Sequence, residues 1–305
     1  MALELRHLRY LLAVAEHAGF TRAAEALHVS QPTLSQQVRQ LERTLRVQLL
    51  DRSGRTVRLT DAGEAYARYA RRALQDLAAG ERAVLDVQDL SSGHLRLAMT
   101  PTFTSYLIGP LVADFLTEHP GITLDVREMT QDRMEAEILD DKVDIGIAFS
   151  GSHLPAIGGT ALFSEGLGLA VGTAHPCAER REPLPVGELR HHQLALLTSD
   201  FATRRHIDDY LVRHRVRPLV TVEANSVNAL VQMVQRGGLA TVLPDALTQE
   251  EPHLHPIRLE PALPSRTATL LRRETGYHGA AARAFADLAA RWVRDRGYAV
   301  ADPGR

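Results

Sequence analysis

Short polar side chains and an arginine lie on one side of a predicted helix near the N-terminus, within residues 30–40. Glutamine, serine, threonine and arginine are side chains that hydrogen-bond with base edges in the major groove of DNA. A solvated helix face would have a similar composition, so the neighbouring elements must decide between the two interpretations. The candidate DNA contacts in and before this helix are Thr21, Arg22, Ser30, Gln31, Pro32, Thr33, Ser35, Gln36 and Arg39.

Three arginines further along the chain extend this pattern. Arg52, Arg55 and Arg58 surround a Ser53-Gly54 pair between two short β-prone runs, which predicts a small hairpin, or wing. Guanidinium groups on such a wing are placed to contact phosphates or a minor groove. Together with the helix pattern, the wing favours DNA binding over a merely solvated surface.

The spacing of apolar residues predicts the helices that position these side chains. Residues 5–17 carry leucines at helical spacing. Gly19 ends that helix, and Thr21 is expected to cap a second helix over 22–28. Pro32 then falls in the first turn of a third helix, where its missing N–H is tolerated. The inner face of this third helix, 33–45, is expected to contain Leu34, Val38, Leu41 and Leu45.

Three short helices with a tight turn between the second and third predict a winged helix-turn-helix domain over 1–60. This segment holds nine arginines against five carboxylates, whereas the whole chain has a net charge of -2. A basic module followed by an acidic one indicates an anionic partner for the first.

A long helix is predicted over 61–90, capped by Thr60 and Asp61. Its apolar residues recur every three or four positions over about eight turns, so we expect it to pair two copies of the chain rather than to pack only on its own domain. The recurring residues are Ala62, Tyr66, Tyr69, Ala73, Leu77, Val84 and Val87.

The remaining segment, 91–305, alternates strands with helices, which implies an α/β domain with parallel sheets and crossover helices. The predicted strands are 95–99, 122–128, 143–149, 166–172, 194–197, 219–223, 239–243 and 267–271. The predicted helices are 105–118, 132–140, 203–213, 226–236 and 277–296. We expect two lobes joined by two crossings, with lobe I formed by 91–162 and 266–305 and lobe II by 163–265.

Two similar hydroxyl-rich segments, 100–105 and 198–204, follow strands in different lobes, and each opens a helix. Helix N-termini favour anions, and ligands of open parallel sheets lie at the carboxyl ends of strands, so the two segments could close on one small acid. Plain helix capping explains either segment alone, and Asp200 is expected to cap its helix with the carboxylate turned away. The expected ligand-binding residues are Thr100, Pro101, Thr102, Phe103, Ser199, Phe201 and Thr203.

The sequence gives little support to other classes of protein. The sequence has no G-x-S-x-G elbow, no phosphate loop and no H-E-x-x-H motif, so we expect neither an enzyme nor a cofactor. The tight histidine groups, His191-His192 and His253-x-His255, are of the kind that is usually solvated, and we expect no metal site. Cys177 is the single cysteine, which excludes an intramolecular disulfide. The amphipathic N-terminus and the lack of a long apolar segment favour a cytoplasmic protein.

Three segments resemble the signature of the LysR-type transcriptional regulators: FTRAAEALHVSQP at 20–32, SQQVRQLE at 35–42 and RTVRLTDAG at 55–63. The resemblance covers essentially all of the chain, and its first 65 residues are the most specific. It implies a regulator of double-stranded DNA that forms a homodimer through the linker helix, usually assembles into a tetramer and contacts RNA polymerase. It also implies a periplasmic-binding-protein-like sensor whose small inducer binds between two lobes.

Two positions depart from the family pattern. Arg46 stands just past the third helix, where glycine is usual. Glycine tolerates a left-handed cap, whereas arginine adopts one at an energetic cost, so the geometry of this cap is in question. Leu50 stands where phenylalanine is common, which changes packing only.

Four sensor segments, 101–106, 144–149, 200–204 and 223–226, resemble the family members that regulate cyanate degradation. That resemblance implies cyanate as inducer, a linear monoanion suited to a small cleft lined by hydroxyls. A regulator of another catabolic or stress operon with a different small-acid inducer is an alternative, because related regulators share much of this scaffold. A redox-sensing regulator that uses Cys177, beside His175, is a further alternative without a second cysteine to resolve it.

Overall fold

The computed structural model describes residues 3–54, 56–86 and 93–299. The chain divides into two compact units, Met1–Val87 and Gln88–Arg305. The first is mainly helical, the second is built on two five-stranded sheets, and each has its own hydrophobic core. None of the helices in the described ranges is both long enough and apolar enough to cross a membrane.

The first unit is a helix-turn-helix with a wing, as predicted. Its elements are α1 (Leu5–Glu16), α2 (Phe20–Ala26), α3 (Gln31–Leu45), β1 (Leu50–Asp51), β2 (Arg58–Leu59) and α4 (Asp61–Asp86). The inner positions predicted for α3 are buried in the core of the unit, except that Leu45 is half-buried. Amphipathic spacing therefore decides which side of α3 remains for solvent.

Local chemistry sets the ends of the short helices. The predicted cap of α2 is wrong: Gly19 occupies the N-cap and Thr21 lies within the first turn, because the helix begins one residue before Thr21. Ser30 is the N-cap of α3, and its hydroxyl accepts a hydrogen bond from the Thr33 amide at 3.2 Å. Pro32 lies in the first turn of α3, as predicted.

A left-handed residue ends α3. Arg46 has φ 55° and ψ 34°, and its amide donates to the carbonyl oxygen of Arg43 at 3.3 Å. The chain thus keeps the conformation that suits glycine but places an arginine in it. This costs about 1 kcal/mol relative to a residue without a Cβ atom.

The wing leads directly into α4. Strands β1 and β2 are antiparallel, with Leu50 opposite Leu59. The Thr60 hydroxyl accepts a hydrogen bond from the Gly63 amide at 3.0 Å, which confirms Thr60 as a cap of this helix. The helix was predicted to continue to residue 90, and residues 87–90 lie outside the described residues.

Helix α4 carries apolar side chains that its own unit does not cover. Ala67 and Ala70 are buried, and the helix packs against α1. Tyr69, Leu77 and Val84 are instead exposed by 73%, 47% and 69%. Only some of the apolar residues that recur along α4 therefore pack in the core of this unit.

Two mixed sheets form the second unit, in the orders β4-β3-β5-β14-β6 and β10-β9-β11-β7-β12. The strands are β3 (Gly93–Met99), β4 (Ile122–Glu128), β5 (Ile145–Phe149), β6 (Ile157–Glu165), β7 (Leu167–Gly172), β8 (Leu184–Pro185), β9 (Gln193–Leu197), β10 (Leu219–Ala224), β11 (Ala240–Pro244), β12 (Leu254–Ile257), β13 (Leu259–Glu260) and β14 (Arg266–Arg273). The helices are α5 (Pro101–Thr104), α6 (Ile108–Glu118), α7 (Gln131–Leu139), α8 (Ala202–Arg213), α9 (Val227–Arg236), α10 (Asp245–Glu250) and α11 (Ala280–Asp295), with a 3₁₀ helix at Val186–His191.

The predicted return of the chain to the first sheet is confirmed, since β14 lies antiparallel between β5 and β6. The lobe boundary predicted after residue 162 is too early, because β6 continues in the first sheet to Glu165. The helix predicted over 105–118 begins later, because α6 starts at Ile108, and the short helix α5 precedes it at Pro101–Thr104. Pro110 has no N–H to donate to the preceding turn, so it lies in the first turn of a new helix. One hydrophobic cluster contains buried residues of both sheets.

Candidate functional site

The outer side of α3 presents the polar residues that the sequence predicted as DNA contacts. The hydroxyl oxygens of Ser30 and Thr33 lie 2.7 Å apart, so capping occupies part of their hydrogen-bonding capacity. The remaining side chains extend away from the core. Among the predicted contacts, the exposed residues are Thr21, Arg22, Ser30, Gln31, Pro32, Thr33, Gln36 and Arg39, and Ser35 is half-buried.

Two further arginines extend this surface, although sequence reasoning missed them. Arg43 follows Arg39 by about one helical turn, and Arg46 lies at the left-handed end of the helix. Both are exposed, and with Gln36 they line one groove. The spacing of three and four residues from Gln36 through Arg39 to Arg43 was the available signal, because it marks one face of a helix. Their charge suits a phosphate backbone.

A buried carboxylate fixes the wing to α3. Oε1 of Glu42 accepts hydrogen bonds from the amides of Leu49 and Leu50 at 3.0 and 3.2 Å. Oε2 accepts a hydrogen bond from Arg52 at 2.7 Å. The side chain of Glu42 is only 9% exposed, so these three donors compensate for the removal of its charge from water. The wing and the polar helix are thereby held in one fixed relation.

Of the three arginines predicted as wing contacts, the structure describes Arg52 and Arg58. Arg52 is held by Glu42 and also lies over the Phe20 ring, 5.5 Å from its centroid. Arg52 thus supports the wing, and because the residue is exposed, its predicted DNA contact stays a prediction. Arg58 is exposed on β2, where it can reach an anion. Arg55 lies outside the described residues.

In the second unit, Thr100 and Thr102 are buried together at the carboxyl end of β3. Their hydroxyl oxygens are 3.5 Å apart, and neither residue is more than 5% exposed. Thr100 occupies the N-cap position of α5, but this helix has only four residues and the Thr100 side chain makes no capping hydrogen bond. A helix dipole at this point is therefore weaker than predicted, and the two hydroxyls are the main polar feature.

Only some residues of the second hydroxyl-rich segment, 198–204, are buried. Thr203 is buried in the first turn of α8, whereas Ser199 is exposed. Phe201 occupies the N-cap, so the prediction that Asp200 caps this helix is wrong. The backbone carbonyl of Asp200 instead accepts a hydrogen bond from Arg205 at 3.1 Å.

Two residues that sequence reasoning missed connect the two segments. Arg266 donates a hydrogen bond to the Thr203 hydroxyl at 2.8 Å, and its guanidinium lies 3.5 Å above the Phe149 ring. Phe149 in turn packs against Phe103, with ring centroids 4.7 Å apart. The segments therefore meet through a buried cation and an aromatic ring. Phe103 is fully buried among aromatic rings, and Pro101 is buried, as are Thr100 and Thr102, so their predicted ligand contacts stay predictions.

The charge of Arg266 is balanced inside the protein. Arg266 and Glu165 are directly opposite each other on β14 and β6, and Nε of the arginine donates to Oε2 at 2.6 Å. The Tyr106 hydroxyl donates to the other carboxylate oxygen. Burial, and then the charge of Glu165, raise the pKa of Tyr106 well above its usual value, so it stays a neutral donor. Burial lowers the pKa of Arg266.

A buried hydroxyl at the carboxyl end of β9 has spare hydrogen-bonding capacity. Oγ1 of Thr198 is shielded from solvent and has no hydrogen-bond partner among the described residues. Buried polar atoms normally find a partner, so such an atom is a candidate ligand contact. The sequence marked the segment that contains Thr198 but not this residue.

A separate cavity of about 460 Å³ lies on the other side of Glu165 and Tyr106. Its lining includes the carboxylates of Glu165, Asp245 and Glu250 and a single arginine, Arg296. Carboxylates repel an anion, so this cavity suits an anionic ligand less well than the threonine cluster does.

A winged helix-turn-helix with an exposed polar recognition face, followed by a two-lobed α/β unit, defines the class of ligand-responsive transcription regulators. Residues 5–64 match the bacterial regulatory helix-turn-helix protein, lysR family, and residues 88–294 match the LysR substrate binding domain. The chain belongs to the LysR family of transcription regulators. It is a regulator rather than an enzyme.

Two relatives illustrate the range of this family. The chain is 31% identical to a probable RuBisCO transcriptional regulator of Trichormus variabilis over 92% of its length and 86% of the relative's. It is 30% identical to a hydrogen peroxide-inducible genes activator of Dickeya chrysanthemi over 82% and 81% of the two chains. These relatives respond to or control different processes, so they do not assign an inducer.

Solved structures support the same fold. A substituted full-length OxyR of Pseudomonas aeruginosa has a TM-score of 0.72 at 24% identity and covers 95% of both chains. Full-length CbnR in complex with its target DNA has a TM-score of 0.65 at 23% identity, over 95% of this chain and 99% of the other. At this level of identity the likeness concerns the fold alone.

Proposed function

We propose that α3 binds an operator in the major groove and that a small anion in the second unit controls this activity. The observation that supports the first part is the exposed polar side of α3, which ends in the arginines Arg39, Arg43 and Arg46. The solved CbnR complex contains target DNA, and its fold is shared by this chain. A protein of this fold can therefore bind DNA, and we assign that contact to α3.

The proposed contacts divide by chemistry. Gln31, Gln36 and Arg39 are assigned to base edges, because amides and guanidinium groups form two hydrogen bonds with a single base. The short hydroxyls and the arginines around them are assigned to phosphates, which position the helix without specifying sequence. The proposed phosphate-contacting residues are Thr21, Arg22, Ser30, Thr33, Ser35, Arg43, Arg46, Arg52, Arg55 and Arg58.

The proposed effector site contains Thr100, Thr102 and the unpartnered hydroxyl of Thr198, with Thr203 and Arg266 beside them. Three observations support an anion of small size. The hydroxyls of Thr100 and Thr102 are buried, Thr100 and Thr198 directly follow the carboxyl ends of β3 and β9, and a buried guanidinium lies in contact with the second segment. Because Glu165 already neutralises Arg266, the hydroxyls must provide much of the stabilisation of the anion.

Cyanate is one candidate for this anion, on the strength of the local sequence resemblance and of its size. A different small acid is the alternative, and the relatives described above regulate other processes. A redox-sensing regulator is supported less well, because Cys177 is buried and is the only cysteine of the chain. Loss of effector response in Cys177→Ala, with hydroxyl variants unaffected, would favour that alternative.

The proposed assembly is a homodimer that pairs through the exposed apolar side of α4, with a tetramer built from two such dimers. The exposure of Tyr69, Leu77 and Val84 supports this arrangement. Contact with RNA polymerase, and a location in the cytoplasm where chromosomal DNA is accessible, complete the proposal.

The effector part is tested by a thermal-shift titration of the full chain with sodium cyanate, formate, acetate and chloride. A specific anion stabilises the folded chain in proportion to the logarithm of its concentration above its dissociation constant. A shift with one small anion, absent with chloride at equal ionic strength, is the expected result. Equal shifts with all four salts would contradict a built anion site.

A further inference from the structure

Three metal-binding side chains meet at the end of the second sheet that lies away from the threonine cluster. His175 and Cys177 are in the turns after β7, and His192 directly precedes β9. Ala240 on β11 is opposite Val171 near the end of β7 and Leu194 near the start of β9. Because of this register, Cys177 and His192 lie close together although they are 15 positions apart in the chain.

The donor atoms of this cluster are close enough for one ion. Sγ of Cys177 lies 3.9 Å from Nε2 of His192, and one donor atom from each residue lies within 4.8 Å of the others. The two imidazole rings are 5.3 Å apart between centroids. In a tetrahedral zinc site, with Zn–S and Zn–N bonds of about 2.3 and 2.1 Å, a sulfur and a nitrogen ligand lie about 3.6 Å apart. Small side-chain movements would bring the donors to that separation.

Burial distinguishes this cluster from ordinary surface histidines. His175 and Cys177 are buried, and Cys177 belongs to the hydrophobic core of the second sheet. His192 is half-buried and gives solvent a route to the site, whereas its neighbour His191 is exposed.

We propose that His175, Cys177 and His192 bind one Zn²⁺ ion, with a water molecule as fourth ligand on the side of His192. Two imidazoles and a thiolate are a donor set that zinc accepts, and three protein ligands leave an open fourth position. The thiol proton of Cys177 is released to solvent when the sulfur binds, so the ion is held by one negative charge and two neutral rings.

Binding requires one local rearrangement. Nδ1 of His175 accepts a hydrogen bond from the Cys177 amide at 3.0 Å, so the ring proton is on Nε2. If His175 binds the ion through Nδ1, the hydrogen bond from the Cys177 amide is broken. If it binds through Nε2, the ring proton leaves that nitrogen. In return, the ion links the turn after β7 to the segment before β9, and it stabilises this end of the second lobe.

Cobalt(II) is a suitable probe because its bond to a thiolate gives a charge-transfer band in the near ultraviolet. The full chain, freed of metal by a chelator, is titrated with Co²⁺ and then with Zn²⁺. Cys177 is the only cysteine, so a thiolate band identifies its sulfur as a ligand. We expect the band to saturate at one cobalt per chain and to disappear when one equivalent of zinc is added.

Three variants make the test specific. Cys177→Ala should abolish the band, and His192→Gln should weaken cobalt binding at least tenfold. His191→Gln, a change of the adjacent exposed histidine, should leave the titration unchanged. Circular dichroism shows whether each variant is folded, and His192 is half-buried, so its replacement is compatible with folding. A wild-type chain without a thiolate band, or equal effects of the His191 and His192 variants, would overturn the proposal.

Discussion

The carboxylate of Glu42 in α3 holds the guanidinium of Arg52 at the wing, 2.7 Å from oxygen to nitrogen. The same carboxylate accepts hydrogen bonds from the amides of Leu49 and Leu50. One buried side chain thus satisfies two backbone donors and one cation. This group therefore contributes to the relative placement of the recognition helix and the wing, together with the packing of Leu49 and Leu50 in the same hydrophobic core.

Replacement of Glu42 should destabilise the first unit in a graded manner. Glu42→Ala leaves two buried amides and Arg52 without their acceptor, and we expect a loss of about 3 kcal/mol in the free energy of unfolding. Glu42→Gln keeps one acceptor oxygen and should lose roughly 1 kcal/mol. Urea unfolding followed by circular dichroism measures both. Glu25→Gln, at an exposed position of α2, should stay within about 0.5 kcal/mol of wild type. Equal stabilities of all variants would refute the anchoring role.

Replacement of Arg46 by glycine should raise the free energy of unfolding, in contrast to the replacements of Glu42. Arg46→Gly relieves the left-handed strain at φ 55° and should stabilise the first unit by about 0.5–1 kcal/mol, after allowance for the greater freedom of glycine in the unfolded chain. Arg43→Gly removes the same charge from a helical position and should destabilise by about 1 kcal/mol. Urea unfolding of the two variants measures both free energies of unfolding. A shift of both in the same direction would contradict the strain assigned to Arg46.

The helix-turn-helix could be predicted from sequence because its signals are local. Leu34, Val38 and Leu41 repeat at helical spacing, Ser30 is a strong N-cap residue, and Pro32 suits the first turn. The error at Thr21 was also local, since Gly19 and Thr21 both fit an N-cap. The left-handed state of Arg46 was foreseen only as a question, because its side chain conflicts with its backbone.

The effector region was harder to predict because its key contacts join distant segments. Arg266 and Glu165 are 101 residues apart, and their pairing follows from the register of β14 and β6. Local patterns marked the threonines but could not show that Phe103 points into a core of aromatic rings. The cluster of His175, Cys177 and His192 was not recognised for the same reason: only the strand order brings its members together.

The hydroxyls of the threonine cluster should control the effector response. Thr100→Val with Thr102→Val keeps side-chain volume and removes both hydroxyls, so the anion-induced thermal shift should disappear while affinity for DNA is kept. Thr241→Val is the matched control, since this residue is equally buried, has an unpartnered hydroxyl among the described residues and lies near the other end of the second sheet. A normal anion response in the double variant would remove the threonines from the site.

The apolar side of α4 should mediate dimer formation. Leu77→Glu places a charge at an exposed leucine and should weaken the dimer by at least tenfold in its dissociation constant, because a charge buried in an apolar interface is unfavourable. Arg68→Glu introduces the same side chain at an exposed position on the opposite side of the helix and should have little effect. Sedimentation velocity over a range of concentrations measures both, and an unchanged dimer in Leu77→Glu would contradict the proposed pairing.

The most direct test of the central claim is the affinity of the full chain for its preferred DNA, with Arg39 present or replaced. A duplex enriched by the wild-type chain from a random library is titrated in fluorescence anisotropy at two salt concentrations. Arg39→Ala should bind this duplex about 10- to 100-fold more weakly, while binding to unrelated DNA changes much less. Failure to enrich any sequence, or unchanged affinity and footprint in Arg39→Ala at both salt concentrations, would contradict recognition of DNA by α3.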